Sequence, residues 1–325
     1  MGPAIEVDGL VRRFGTTIAL DGASFTADEG SVLGVLGPNG AGKTTAVRIL
    51  GTLLRPDGGR AVVGGHEVVA DPHRVRSLIG LTGQYAGVDE SLTGTENLLL
   101  IGRLLGLPRR EARARAAELL DDFGLTDAGG RAARTFSGGM RRRLDLAASL
   151  VGRPRMLFLD EPTTGLDPSS RLQLWELVRG LVRDGVTVLL TTQYLDEADQ
   201  LADDIVVIDR GTVVATGTPD ALKDRAGAAV LVMRPADPDD LDTVARVSGD
   251  LAGTPALVEA GSVSVTAADG ALMPAVVRRL DDVGVRLDEL TLRRSTLDEV
   301  FLALTGHRAE PPPDETTTEP HRETA

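Results

Sequence analysis

One stretch limits what this chain can fold into more than any other: Gly37-Pro38-Asn39-Gly40-Ala41-Gly42-Lys43-Thr44-Thr45. Its spacing is G-x-x-x-x-G-K-[ST], which requires a strand before it and a helix after it. Both are present in the sequence. Ser31 to Leu36 is a short apolar run, the pattern of a buried strand, and Thr44 to Leu54 has helical spacing. Glycines let backbone N–H groups turn inward and come close to phosphate oxygens, and the new helix points its positive end at the same anion. Lys43 is placed for the β- and γ-phosphates and the Thr44 hydroxyl for Mg²⁺. The expected ligand is a nucleoside triphosphate, bound with Mg²⁺ by residues 37–45.

Two further stretches carry chemistry. Arg155-Met156-Leu157-Phe158-Leu159-Asp160-Glu161-Pro162 is an apolar strand ending in two adjacent carboxylates. The carboxyl end of a strand is where open α/β sheets bind ligands. Asp160 is placed to hold Mg²⁺ and Glu161 to orient and polarise the attacking water, which makes Glu161 and Lys43 the catalytic candidates. Taken alone, the same residues also describe a strand entering a polar turn. Phe136-Ser137-Gly138-Gly139-Met140 opens an amphipathic helix and offers a second set of N–H groups with a hydroxyl. It reads equally as an ordinary helix cap. If it is an anion site, Ser137, Gly138 and Gly139 would complete the nucleotide site across a dimer.

The rest of the chain sorts around these motifs. At 325 residues it exceeds the ~250–300 at which a single core stops growing, so one large domain and a smaller one are expected. Residues 1–30 and 60–70 read as small antiparallel strands, and 93–150 as an inserted helical subdomain broken by Pro108 and by glycines near 124–130. After 155 strands and helices alternate, which predicts an α/β core with parallel strands. From about 226 to 308 the order β-α-β-β-α-β plus a helix predicts a small α+β domain, ferredoxin-like, with the last helix capped by Ser295 and Asp298. Residues 309–325, rich in Pro, Thr and Glu, read as a disordered tail. The formal net charge of −13 and the 3% aromatic content disfavour nucleic acid as a partner. There is no cysteine, which excludes disulfides and thiolate chemistry. No apolar run approaches the ~18–20 residues needed to span a bilayer, and no signal peptide is evident, so a cytoplasmic location is expected. Lysine occurs only at 43 and 223.

With these motifs in order, the chain resembles the ATP-binding subunit of an ABC transporter from about residue 5 to 225. The resemblance implies a P-loop NTPase cassette of α/β core, antiparallel β subdomain and helical subdomain, folded over 1–225. It implies that Gln84 is the Q-loop glutamine, near nucleotide and Mg²⁺ and acting as the lever to the permease. It makes Phe14 the aromatic that stacks on adenine, although Phe14 also reads as a half-buried strand residue. Thr164-Gly165-Leu166-Asp167-Pro168 resembles the D-loop, which places Asp167 at the opposite subunit's site. One departure stands out. The family's usual His after the last core strand is Gln193 here, and the histidines lie at 66, 73, 307 and 321. Glutamine can donate to a phosphate oxygen but cannot become cationic, so phosphate sensing is expected to survive with slower turnover. Residues 137–146, 191–199 and 294–306 are similar to a narrower group, the daunorubicin/doxorubicin-resistance type. The implied partners are a second identical chain and a separate membrane permease, with the protein peripheral on the cytoplasmic face of the membrane. The implied role is to power drug or antibiotic efflux. Export of a lipid, a polysaccharide or another non-drug substrate is the alternative within the same class. A soluble non-transport ATPase and a nucleotide-gated regulator are rivals outside it.

Overall fold

The computed structural model describes residues 2–83, 87–225, 229–267, 270–293 and 296–305. Gln84, Ser295 and the expected disordered tail lie outside the described residues. Contacts divide the chain into two compact units, one up to Thr218 and one beginning at Pro219, ahead of the change of texture near 226.

In chain order the first unit contains strands β1 (Ile5–Phe14), β2 (Thr17–Ala27) and β3 (Val32–Leu36), then helix α1 (Lys43–Leu50). Strands β4 (Gly58–Val63) and β5 (His66–Glu67), helix α2 (Pro72–Leu78) and strand β6 (Ile79–Thr82) follow. Next come helices α3 (Gly94–Leu104), α4 (Arg109–Asp122) and α5 (Gly138–Ser149), which form the helical insertion. The chain then alternates through β7 (Met156–Asp160), α6 (Pro168–Arg183), β8 (Thr187–Thr192), α7 (Leu195–Leu201), β9 (Asp204–Asp209) and β10 (Thr212–Gly217). Two sheets result. One is antiparallel, in the order β2-β1-β4-β5; the other runs β10-β9-β3-β8-β7-β6, parallel except for the β9–β10 hairpin.

The central strands read as continuous apolar runs because both of their faces are buried. Leu33, Val35, Phe158 and Leu189 pack with α1 and the antiparallel sheet, while Val32, Leu157, Leu159, Val188 and Leu190 pack with α5 and α6. Two local expectations change. Helix α1 stops at Leu50 rather than Leu54, because Gly51 and Thr52 fold back onto Val47 and Ile49 and Thr52 takes a positive φ of 61°. The amphipathic turn α2 and strand β6 lie in a stretch whose short apolar pattern predicted no element.

The second unit contains α8 (Pro219–Arg225), β11 (Val230–Pro235), α9 (Leu241–Ala252), β12 (Leu257–Glu259), β13 (Ser262–Thr266), α10 (Leu272–Asp282), β14 (Leu287–Arg293) and α11 (Leu297–Thr305). Its sheet runs β12-β13-β11-β14 with every pair antiparallel. This is the split β-α-β arrangement. Apolar faces of α9 and α10, with Val244, Val276 and Leu280, pack on Leu231, Met233 and Val263. The cap of α11 sits one residue later than expected. Thr296 accepts from the Glu299 N–H at 3.4 Å, and Glu299 accepts from the Thr296 N–H at 2.9 Å. Glutamate reaches back to its cap residue more easily than aspartate, so the reciprocal pair forms at 296 and 299.

Candidate nucleotide site

Strand register assembles the site. Leu36 pairs with Thr192, Asp160 with Thr191 and Thr82 with Leu159. The carboxyl ends of β3, β8, β7 and β6 therefore finish on one edge of the sheet. The residues that follow them, Gly37, Gln193, Glu161 and Gly83, are brought to that edge together although they are far apart in sequence.

The phosphate loop leaves β3 and enters α1. Its glycines are required by close approach. A Cβ on Gly42, whose φ is 113°, would press into the Ala19 carbonyl oxygen, and one on Gly37 into that of Ile208. The loop is pinned by Ala41 N–H donating to the Pro38 carbonyl at 3.1 Å and by Gly211 N–H donating to the Ala41 carbonyl at 2.9 Å. Asn39 and Gly40 stay exposed at its crest, and Thr45 is half-buried in the first turn of α1. Lys43 is 3% exposed and donates to the carbonyls of Gly37 at 2.6 Å and Pro38 at 3.1 Å. Its Nζ lies 3.6 Å from Glu161 Oε1. The sequence therefore folds the loop around its own lysine, with a carboxylate beside it.

Asp160 ends β7 almost fully buried. Its Oδ1 accepts from Thr44 Oγ1 at 3.1 Å and from Thr191 Oγ1 at 2.6 Å. Two oxygen-bearing side chains thus converge one step from the lysine, the donor chemistry that suits Mg²⁺. Glu161 takes a left-handed backbone with φ 49°, and its N–H donates to the carbonyl of Thr191 at 3.0 Å and to its hydroxyl at 3.1 Å. Thr191 was not singled out by sequence reasoning; the only hint was the pair of hydroxyls ending an otherwise apolar strand. Gln193 follows β8 with its amide oxygen buried and unpaired.

The remaining candidates sit apart from this cluster. Ser137 caps α5, accepting the Met140 N–H at 3.2 Å. Ser137 and Gly138 are exposed, while Gly139 is buried so close to Ser170 that a side chain there would collide with it. Asp167 caps α6 and accepts from the Ser170 N–H at 3.0 Å and from Ser169 Oγ at 2.5 Å. The hydrogen bonds from Ser169 and Ser170 hold its carboxyl well below the usual range. Phe14 ends β1 and is 47% exposed, with the Arg12 guanidinium 4.8 Å from its ring centre. Arg12 is held in turn by Asp57 at 2.8 Å.

Three buried charges were also missed. Burial pushes Glu197 up from its ordinary value; it is fully buried on α7 and accepts from Trp175 Nε1 at 3.3 Å. Burial likewise raises Asp145 and lowers Arg142, which face each other on α5 at 3.4 Å. Arg142 was hidden in the run Arg141-Arg142-Arg143, whose members go three different ways. Arg141 pairs with Glu90, Arg142 turns inward, and Arg143 donates to the Phe123 carbonyl.

An α/β sheet with a glycine-rich loop around a buried lysine, and two carboxylates on the next strand but one, defines a nucleoside-triphosphate hydrolase. Comparison with known proteins narrows this class. Residues 20–164 match the ABC transporter family. The chain is 54% identical over 315 residues to the daunorubicin resistance ATP-binding protein DrrA2 of Streptomyces coeruleorubidus, covering 95% of this chain and 97% of that one. It is 38% identical over 308 residues to the Nod factor export ATP-binding protein I of Ralstonia nicotianae, covering 94% of each. Among solved structures it superposes on cbiO1 of Clostridium perfringens, part of an ABC transporter complex, with a TM-score of 0.64 and 26% identity over 68% of this chain and 91% of that one. The chain belongs to the ABC transporter family, as an ATP-binding subunit, and its reaction is ATP hydrolysis. The expected cassette fold and the resemblance to the daunorubicin/doxorubicin-resistance type are both borne out.

Proposed function

We propose that this chain powers the export of drug-like molecules through a separate membrane permease, with two copies closing on ATP. The observation that carries the reading is the meeting of Lys43, Thr44, Asp160 and Glu161 on one sheet edge. Lys43 and the N–H groups of residues 37–45 hold the phosphates, and Phe14 offers its free face to the base. Thr44 and Asp160, with Gln84, would hold Mg²⁺, which supplies charge neutralisation on the transferring phosphoryl group. Glu161 accepts a hydrogen bond from the attacking water and sets its direction. Gln193 donates its amide to the terminal phosphate.

Ser137 and Gly138 are exposed at the start of α5, with Gly139 buried behind them, so this cap is open to bind the terminal phosphate held by a second copy, beside its Asp167-bearing loop. Closure then gains charge-assisted donors only while the triphosphate is intact, and hydrolysis releases them. Among the described residues no helix is long and apolar enough to cross a membrane; the proposed path for the transported molecule lies in a separate chain. Gln84 is the proposed lever to that chain on the cytoplasmic face. Drug export is favoured over other substrates because identity falls from 54% for a drug-resistance relative to 38% for the Nod factor exporter.

The test is co-expression with a candidate permease in a drug-sensitive host. Anthracycline resistance that disappears with Glu161→Gln is expected. Unchanged sensitivity, with ATP hydrolysis intact, would overturn drug export.

A further inference from the structure

The left-handed backbone at Glu161 has a guanidinium behind it. Arg142 Nε donates to the Pro162 carbonyl at 2.7 Å, and an Nη of the same side chain donates to the Asp160 carbonyl at 3.3 Å. These two carbonyls flank Glu161 on either side. The other Nη donates to the Gly83 carbonyl at 2.9 Å and faces Asp145 at 3.4 Å. Asp145 Oδ1 accepts the Gly87 N–H at 2.6 Å. Arg142 and Asp145 are 14% and 4% exposed at the side chain. A charged pair is therefore kept from water, and most of its hydrogen bonds go to main-chain atoms at the catalytic edge.

A residue other than glycine with positive φ is held there by its surroundings, and such strain concentrates at functional positions. The planar, five-donor fork of arginine can grip several carbonyls at fixed angles; the lysine ammonium cannot. We infer that Arg142, braced by Asp145, is a positioning residue for Glu161: it fixes the backbone that aims the glutamate at its water, and ties that backbone to Gly83 and Gly87 and to α5. The inference rests on the proposed role of Glu161. It also explains why the middle arginine of the run on α5 turns to the catalytic edge, whereas Arg141 pairs with Glu90 and Arg143 with the Phe123 carbonyl. Among the described residues the side chains of Arg142 and Asp145 hydrogen-bond to Gly83, Gly87, Asp160, Pro162 and each other rather than to residues 37–45, so ATP binding is left to Lys43 and its neighbours.

The test uses the full-length chain and three variants: Arg142→Lys, Glu161→Gln and the double variant. Arg142→Lys should lower kcat by roughly 10- to 100-fold, the scale on which a misplacement of about 1 Å acts. KM and the Kd of ATP measured without turnover should stay within about twofold, because those contacts are untouched. In single-turnover assays, adding Arg142→Lys to Glu161→Gln should cost nothing more, since the two changes remove one function. Amide exchange at 161–164 should rise in Arg142→Lys while that of α1 is unchanged, a readout independent of activity. A wild-type kcat in Arg142→Lys beside an inactive Glu161→Gln overturns the clamp alone. So does a loss of ATP affinity in proportion to kcat, or an additive loss in the double variant, because either marks Arg142 as general support. Wild-type hydrolysis by Glu161→Gln overturns the role of Glu161 and the clamp together.

Discussion

Thr191 and Lys43 illustrate how differently two residues of one site are written into a sequence. Lys43 announces itself, because its glycines and threonines are contiguous with it. Thr191 donates to Asp160 at 2.6 Å across a sequence separation of 31, and nothing local distinguishes it from any strand-end threonine. Gln193 could be read as a departure only by resemblance, but its consequence is physical. Gln193→His supplies a side chain able to carry positive charge at the position proposed to meet the terminal phosphate, so steady-state ATP hydrolysis should rise several-fold. Unchanged turnover would mean that this position does not limit the rate. Glu197 makes a prediction about pH. Burial raises its carboxyl above the ordinary 4.5, so the folded chain holds this proton more tightly than the unfolded chain. The stability it contributes is complete below 4.5 and is lost as pH rises through the folded value. Glu197→Gln has no proton to lose and still accepts from Trp175. Its thermal midpoint should exceed the parent's at pH 8, with the gap closing toward pH 5; parallel curves would show that Glu197 is not the group responsible.

At the scale of elements, burial on both faces made the core strands legible as apolar runs, and helical spacing revealed α3 to α6. The short pieces α2 and β6 escaped because seven and four residues carry too little periodicity to separate from a loop. Caps are where local sequence speaks most directly. Thr93 accepts the Glu96 N–H at 3.1 Å and Glu96 accepts the Thr93 N–H at 2.9 Å, closing the start of α3. Thr93→Ala should destabilise the first unit by about 1 kcal/mol, read as a lower urea midpoint with an unchanged m-value. A midpoint equal to the parent's would show that tertiary packing alone holds α3 in place.

For the whole molecule, the exposed cap at Ser137 and the buried lysine site matter together. One chain has a single copy of each, and the proposed closed state joins the lysine site of one copy to the cap of another. Glu161→Gln with ATP and Mg²⁺ should therefore elute as a dimer in size-exclusion chromatography with light scattering. Returning to the monomer after chelation of the metal is the second expected outcome. A monomer at saturating ATP would exclude the two-copy site. The acidic balance of the chain is compatible with this closure, because the binding is directed by local donors at the phosphates rather than by a field over the surface.

By itself the sequence determined the chemistry and the kinds of element. Residues 37–45, Asp160 and Glu161 are contiguous motifs, and local backbone preference with hydrophobic period is enough to place them on a loop, a helix start and a strand end. Only the tertiary structure decided which strand ends stand side by side. The order β10-β9-β3-β8-β7-β6 brings Thr191 to Asp160, Gly83 and Pro162 to Arg142, and Trp175 to Glu197. Those neighbours follow from how the strands and helices share the burial of their apolar faces. That is a property of the whole chain's packing, which no window of neighbouring residues contains.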